Sequence, residues 1–450
     1  MTFTTLNQDG ARWRAGAALA IFLLLAISGP ASAQLIGDEL FDDGFETDLT
    51  IAADRAELEA SSLEALQGLL GETGGANVQV TITYIGKGRM TDAIVQEPPA
   101  EGPPSTMASD PVASFSAFNP RTGNEFKIDI GASDLADIGT ETTRIGRDAG
   151  AGPMGGPVPP ENPDTPIPGR VAQKSWSNNT DDRILRSPLS TGVGTSVWPW
   201  RTIAEHNNRC TGTLVGPRHV VTAAHCIYSR SSNTWSAGFS VTPGRAGGNW
   251  NYGRSQVPTA PAFTWYFTPF QWRQASPVGG VLQYDFGVLI LPDRLGDLTG
   301  WMGYATIDGG TMQASLVYNR GFPWCNATLG NGTPRTDDVG DDPSSGLTCN
   351  DRHLYGDISP CTTGNFHSPD ADGWNRRVDH SCDGSAGQSG SPLYRYFNGA
   401  PAVIAVHTFS QCGKTATDTP CLPGDVRPLT ATRFTPEYSN WISYFRNWKP

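Results

Sequence analysis

The 450-residue chain predicts an all-β protein, and three observations carry that prediction. Glycine (52) and proline (35) are abundant while hydrophobic residues make up 38%, a balance that favours short strands and turns over long helices. Past residue 170 the apolar residues fall into short runs between turns, namely TGTLVG, HVVTAAH, FGVLIL and AVIAVHT, spaced as in a β-barrel or β-sandwich. Finally, all eight cysteines (Cys210, Cys226, Cys325, Cys349, Cys361, Cys382, Cys412 and Cys421) lie after residue 200. An even set in an exported chain reads as up to four disulfides, and no CxxC pair supports a zinc site instead.

Length alone allows two to four domains, and the composition changes along the chain divide it. Arg12 and Arg14 precede the apolar run AGAALAIFLLLAISG and the small-residue site Ala31-Ser32-Ala33. That is the pattern of a secretory signal peptide, residues 1–33, cleaved after Ala33. The apolar run is short for a membrane span. The mature protein is therefore expected to be soluble and secreted, extracellular or periplasmic, with no membrane partner.

Residues 34–147 form an acidic, cysteine-free segment, with a helical pattern at 56–70 (AELEASSLEALQGLL) and a strand-like alternation at 78–85 (VQVTITYI). Residues 148–170 (DAGAGPMGGPVPPENPDTPIPGR) are dense in Pro and Gly and read as a linker. The charge follows the same division. Residues 34–170 hold 8 Lys and Arg against 23 Asp and Glu, whereas 171–450 hold 22 against 20. A near-neutral body gives no sign of a nucleic-acid partner. An acidic segment joined by a loose linker to a cysteine-bearing body reads as a prosegment, with an independent binding domain as the alternative. Near the C-terminus, Thr435 as N-cap and Pro436 at the first helical position open a helix in which Trp441, Tyr444 and Phe445 share a face.

Residues 387–392 read GQSGSP. Glycine lets the backbone approach a ligand and adopt strained angles, which a nucleophilic Ser389 needs if two backbone N–H groups are to meet the oxygen it creates. A serine hydroxyl also needs a base. Of the seven histidines, His225 in VVTAAHC stands where an apolar run ends in two alanines, beside Cys226. Cys210 lies 16 positions earlier, within hairpin reach of Cys226, and these two are the expected disulfide. Asp285 precedes a fully apolar run in YDFGVLIL. A carboxylate there is costly without a partner, and an imidazole base needs such a carboxylate to fix its tautomer.

In this order TAAHC, YDFGVLIL and GQSGSP resemble the chymotrypsin-like serine peptidases, and most of all their bacterial glutamyl endopeptidase branch. The short motifs TDDR, WPWRTI, VTPGR, LYRY, AVHT and TRFT have the same flavour, and the resemblance covers roughly 175–450. It implies a trypsin-like domain over 171–450, built of two six-stranded antiparallel β-barrels with a C-terminal helix. It further implies Ser389 as nucleophile, His225 as general base, Asp285 as its orienter, and the amides of Gly387 and Ser389 as oxyanion hole. Protein or peptide substrates and the chain's own prosegment are the expected partners of a monomer, with neither cofactor nor metal.

Two residues disagree about specificity. His407, followed by Thr408, stands where glutamyl endopeptidases place a carboxylate-binding histidine. Asp383 stands where basic-specific trypsins place their pocket aspartate, and Gly384 replaces a threonine usual in the glutamyl branch. Only Glu205 and Glu437 occur in 171–450, against eleven glutamates in 34–170, which leans towards glutamate before the cut. Gln388 stands where trypsin has the aspartate that pairs with its freed amine, so activation is expected through removal of the acidic segment by a cut between Arg170 and Asn179. The rivals are Arg/Lys-directed cleavage through Asp383 and a secreted binding module without catalysis. An α/β-hydrolase is disfavoured, because its G-x-S-x-G motif needs glycine where Ser391 stands. The cysteine-bearing stretch 325–361 stays unassigned, and its DDVGDD acids lack the spacing of an EF-hand.

Overall fold

The computed structural model describes residues 2–4, 80–91, 112–131, 183–185, 195–257, 264–274, 281–313, 315–323, 352–357, 360–366, 375–384, 387–410 and 429–448. The predicted signal-peptide cleavage site, the helical pattern at 56–70, the linker, the maturation window 170–179 and the cysteines at 325, 349, 412 and 421 lie outside these residues.

Strands dominate, as the short apolar runs predict. The N-terminal part supplies β1 (Thr2–Thr4), β2 (Val80–Lys87), β3 (Met90–Thr91), β4 (Val112–Phe118), β5 (Asn124–Gly131) and β6 (Arg183–Leu185). A middle group runs β7 (Ile203–His206), β8 (Cys210–Leu214), β9 (His219–Thr222), β10 (Tyr228–Ser229), β11 (Thr234–Ser236), β12 (Phe239–Pro243), β13 (Ser255–Val257), β14 (Trp265–Pro269) and β15 (Gly287–Ile290). The last group is β16 (Gly303–Tyr304), β17 (Leu316–Gly321), β18 (Tyr355–Asp357), β19 (Cys361–Phe366), β20 (Arg377–His380), β21 (Pro392–Phe397), β22 (Ala400–Ser410) and β23 (Leu429–Arg433).

The last group closes. β17 pairs with β21, β21 with β22, β22 with β23, β23 with β20, β20 with β19, and β19 returns to β17, every pairing antiparallel. This six-stranded barrel leaves no open edge in the ring, and Val317, Val378, Leu393, Ile404 and Ala431 fill it. Its strand β19 is tied to the turn after β20 by a Cys361–Cys382 disulfide.

The middle group departs from the expected second barrel. Its six main strands lie in the order β14-β15-β9-β8-β7-β12, and among the described residues β12 and β14 are not joined. Each of those edges has another partner: β13 covers β12, and β4 of the N-terminal segment covers β14. The ring thus becomes part of an eleven-stranded sheet. Its central strands β9 (HVVT) and β15 (GVLI) are buried at every position, the pattern of strands covered on both faces.

The acidic segment therefore does not stand apart from the body that follows it. β4 lies antiparallel on β14 with Phe118 opposite Tyr266 and Phe115 opposite Pro269, and β5 and β2 continue the sheet outward. The strand predicted at 78–85 is β2. The C-terminal helix, Pro436–Trp448, begins as predicted, with Thr435 Oγ1 accepting the Tyr438 N–H at 3.4 Å. Its buried Tyr438, Trp441 and Phe445 enter the same core as Phe115, Phe267 and Phe286. Among the described residues no helix is long and apolar enough to cross a membrane.

Candidate active site

The strand HVVT of β9 runs into two buried alanines, and the chain then makes one 3-10 turn, Ala224–Cys226. His225 sits at its centre, 3% exposed. Cys226 is bonded to Cys210 of β8, with the Cα atoms 6.0 Å apart, so the turn is anchored to the neighbouring strand as the spacing predicts.

Asp285 follows another 3-10 turn, Leu282–Tyr284, and has no exposed surface. That turn is held from the last barrel strand and from the helix. Thr432 Oγ1 donates to the Leu282 carbonyl at 3.0 Å, and the Tyr438 hydroxyl donates to the Gln283 carbonyl at 3.1 Å. Both carboxylate oxygens of Asp285 engage His225: Oδ1 accepts the backbone N–H at 2.9 Å and Oδ2 meets Nδ1 at 2.7 Å. An ionised carboxylate only accepts, so Nδ1 carries the proton and Nε2 keeps its lone pair. Gly287 makes the approach possible. It pairs with Thr222, and a Cβ there would lie 3.0 Å from Ile227 Cδ1 and 3.3 Å from the Ala223 carbonyl.

The Gly387–Ser391 loop is hung on one residue that the sequence reading missed. Thr211 donates its N–H to the Ser389 carbonyl (2.8 Å) and its hydroxyl to the Gly387 carbonyl (2.9 Å), and Thr222 Oγ1 donates back to the Thr211 carbonyl (2.7 Å). The Ser389 carbonyl also contacts Cys226 Sγ at 3.7 Å. The loop therefore sits against the disulfide that flanks His225, which brings residues 225, 285 and 389 into one neighbourhood between the two strand groups. Ser389 itself is half-buried.

Both flanking glycines adopt the left-handed region, Gly387 at φ +94° and Gly390 at φ +84°. A Cβ on Gly390 would lie 2.1 Å from the Thr211 carbonyl oxygen and 2.2 Å from Thr222 Oγ1. Only glycine lets the loop lie that close to β8 and β9. Ser391 Oγ, donating to Asn319 Oδ1 at 2.6 Å, ties the far end of the loop to β17.

His407 is on β22 and joined to this loop through its backbone: the Gly390 N–H donates to its carbonyl (2.7 Å), and its own N–H donates to the Ser391 carbonyl (2.8 Å). Its Nδ1 lies 3.0 Å from Nε2 of His380 on β20. Complete burial lowers the His380 pKa to about 3, so His380 is neutral. The trace of this second histidine in the sequence is its polar place in RVDH, two residues before a cysteine. A Cβ on Gly384 would stand 2.8 Å from Leu429 Cδ1 and 3.3 Å from His407 Nε2, so the chain passes this close to the buried ring only as glycine. Thr408 is buried, with its hydroxyl towards the Thr430 carbonyl at 3.3 Å. Asp383 is 1% exposed, and its N–H points at both carboxylate oxygens of the buried Asp357, 3.3 and 3.2 Å away.

Two groups among the described residues cluster metal-ligating atoms, Cys210/His225/Cys226 and Asp357/Cys361/Cys382. In each the two sulfurs are bonded to one another, so neither offers a thiolate, the form of cysteine that binds metals.

Parts of the chain are similar to known proteins. Residues 193–257 match the family model described as trypsin. The glutamyl endopeptidase of Bacillus licheniformis is 27% identical over 224 residues, 48% of this chain and 57% of that one. A Bacillus subtilis protein named extracellular metalloprotease is 27% identical over 200 residues, 44% of this chain and 50% of that one. Serine protease 23 of Bos taurus is 30% identical over 104 residues, 21% of this chain and 28% of that one. The chain thus spans about half the length of the first two relatives. A solved structure titled as Glu endopeptidase in complex with MPD aligns with 59% of this chain and 97% of its own at 20% identity and a TM-score of 0.40.

Proposed function

We propose that this chain, trypsin-like in sequence over residues 193–257, is a secreted serine endopeptidase of the chymotrypsin-like family. The observation that carries the reading is the buried His225–Asp285 pair, gripped through both carboxylate oxygens, with the Ser389 loop fastened beside it.

Ser389 Oγ attacks the carbonyl carbon of the scissile bond while Nε2 of His225 takes the hydroxyl proton. The electron pair of the C=O bond moves to oxygen, and the amides of Gly387 and Ser389 stabilise that oxyanion. His225, now an imidazolium held by Asp285, gives its proton to the leaving amine as the C–N bond breaks. Water then attacks the acyl-enzyme, assisted by the same imidazole, and frees the acid and Ser389. Each oxyanion donor contributes about 10²–10³ in kcat.

For the residue before the cut, the reading is glutamate. His407 is tied to the Ser389 loop through its backbone and pairs through Nδ1 with His380, and its Nε2 is the group that would meet a substrate carboxylate. Asp383, whose backbone N–H meets the buried Asp357, is the rival determinant. Maturation is by a cut between Arg170 and Asn179.

A cleavage map tests both levels. An unfolded protein is digested with the processed enzyme and, in parallel, with Ser389→Ala, and the new termini are read by mass spectrometry. Cuts after glutamate, absent from the control, are expected. Cuts after arginine or lysine move specificity to Asp383 and leave the catalytic residues standing. An absence of cuts, together with no labelling of Ser389 by a fluorophosphonate, sinks the enzyme reading in favour of a binding module.

A further inference from the structure

The linker at 148–170 invites the view that everything before it is discarded once the chain is cut. The contacts of residues 80–131 point elsewhere. We propose that this N-terminal β-unit (β2 to β5) stays seated on the 171–450 body after the linker is cut, so that the mature protein is two chains held without a covalent bond.

Four independent contacts carry the inference. The first is backbone pairing: β4 occupies the edge of β14 over four residue pairs, and β3 lies parallel on β11, where the Trp235 N–H donates to the Arg89 carbonyl at 2.7 Å. Removing the unit would bare both strand edges, which folded proteins seldom leave open.

The second is Phe115, which has no exposed surface. Its ring lies 4.2 Å from Trp441, 6.2 Å from Phe445 and 6.4 Å from Phe286. These belong to the C-terminal helix and to the residue after Asp285, so Phe115 fills the body's core. The third is Phe118, stacked on Trp235 at 4.7 Å with the planes 3° apart. Without these rings the body would expose a contiguous aromatic patch of the kind soluble monomers avoid.

The fourth contact is ionic. Glu125 is 1% exposed, and its Oε1 accepts from Arg273 Nε at 2.8 Å and from Ser116 Oγ at 2.9 Å. Leaving Arg273 without that carboxylate, in surroundings built around the pair, is unfavourable. A detachable inhibitor would lie across the Ser389 loop. This unit lies on a sheet edge and against the helix, behind Phe286.

The test uses the full chain with Ser389→Ala and a foreign protease's recognition sequence placed within 148–170. Silencing the serine makes the outcome independent of the proposed activity. After complete cutting, size exclusion and native mass spectrometry are expected to find both fragments in one 1:1 species, separable only in denaturant. Loss of the N-terminal fragment overturns the proposal, whether the remaining chain stays soluble or precipitates. A second variant, Phe118→Asp, locates the contact: at least ten-fold more free fragment is expected after cutting. Unchanged retention in that variant would show that the interface is not where the structure places it.

Discussion

At the residue scale the site depends on how one carboxylate divides its oxygens. Because Asp285 uses one oxygen for the His225 amide and the other for Nδ1, Asp285→Asn keeps the shape but puts an NH₂ donor at one of two positions where only an acceptor fits. We expect folding to be preserved and kcat to fall about 10⁴-fold; a steady-state assay of well-folded protein that finds less than a ten-fold loss would contradict the role given to Asp285. Glycine at 390 makes a sharper comparison. Gly390 and Gly399 share φ +84°, yet a Cβ would collide with Thr211 and Thr222 at the first and meet nothing within 4 Å at the second. Gly399→Ala is expected to cost about 1 kcal/mol from backbone strain alone. Gly390→Ala should cost about 3 kcal/mol or more, with loss of activity. Urea midpoints of the two variants measure the difference.

At the level of elements, the strands that carry the candidate site were legible because their chemistry is local. TAAHC ends a buried strand, YDFGVLIL places a carboxylate against another, and GQSGSP is too small for anything but a tight loop. The Cys210–Cys226 pairing followed from a separation of 16 residues. By the chain-entropy account a loop of that size contributes about 3 kcal/mol. Replacing both cysteines by serine should lower thermal stability accordingly and reduce activity further, because the Ser389 loop rests on the same staple; a full loss of stability with unchanged kcat would separate the two effects and refute the second. Thr211 and His380 were not legible. A threonine inside an apolar strand has no pattern of its own, and its partners Gly387 and Ser389 lie about 176 residues away. The strands β4 and β5 escaped for the same reason: VASFSAF has only small and aromatic residues to alternate, and its partner β14 is fixed by tertiary pairing. Closure of the middle strand group into a barrel is not seen among the described residues, because sequence resemblance counts strands and says nothing about which edge another segment covers.

For the molecule as a whole, buried histidines set its response to acid. Burial lowers His206, His219 and His380 to about 3, with Arg446 adding to the effect at His219. Their folded pKa values lie below the ordinary 6.5, so between pH 6.5 and 3 the unfolded chain binds more protons than the folded one. The stability these groups allow is complete above pH 6.5 and is lost as pH falls, at up to about 1.4 kcal/mol per pH unit for each histidine. Denaturant midpoints should hold steady from pH 8 to 7 and drop steadily from 6 to 4; a flat profile would show that these rings are not buried neutral. The sequence displayed seven histidines without saying which were enclosed, since enclosure is decided by contacts such as Gly212 and Gly216 pressed against the rings of His206 and His219. One feature of the site reaches beyond stability to redox chemistry. The sulfur of Cys226 touches the carbonyl of Ser389, so the loop that Thr211 suspends also rests on the Cys210–Cys226 bridge, which exists only once two thiols have been oxidised. In a reducing compartment the chain would keep the Thr211 hydrogen bonds and lack this brace. The same bond that braces the loop thus couples the firmness of the candidate site to the redox state of its surroundings.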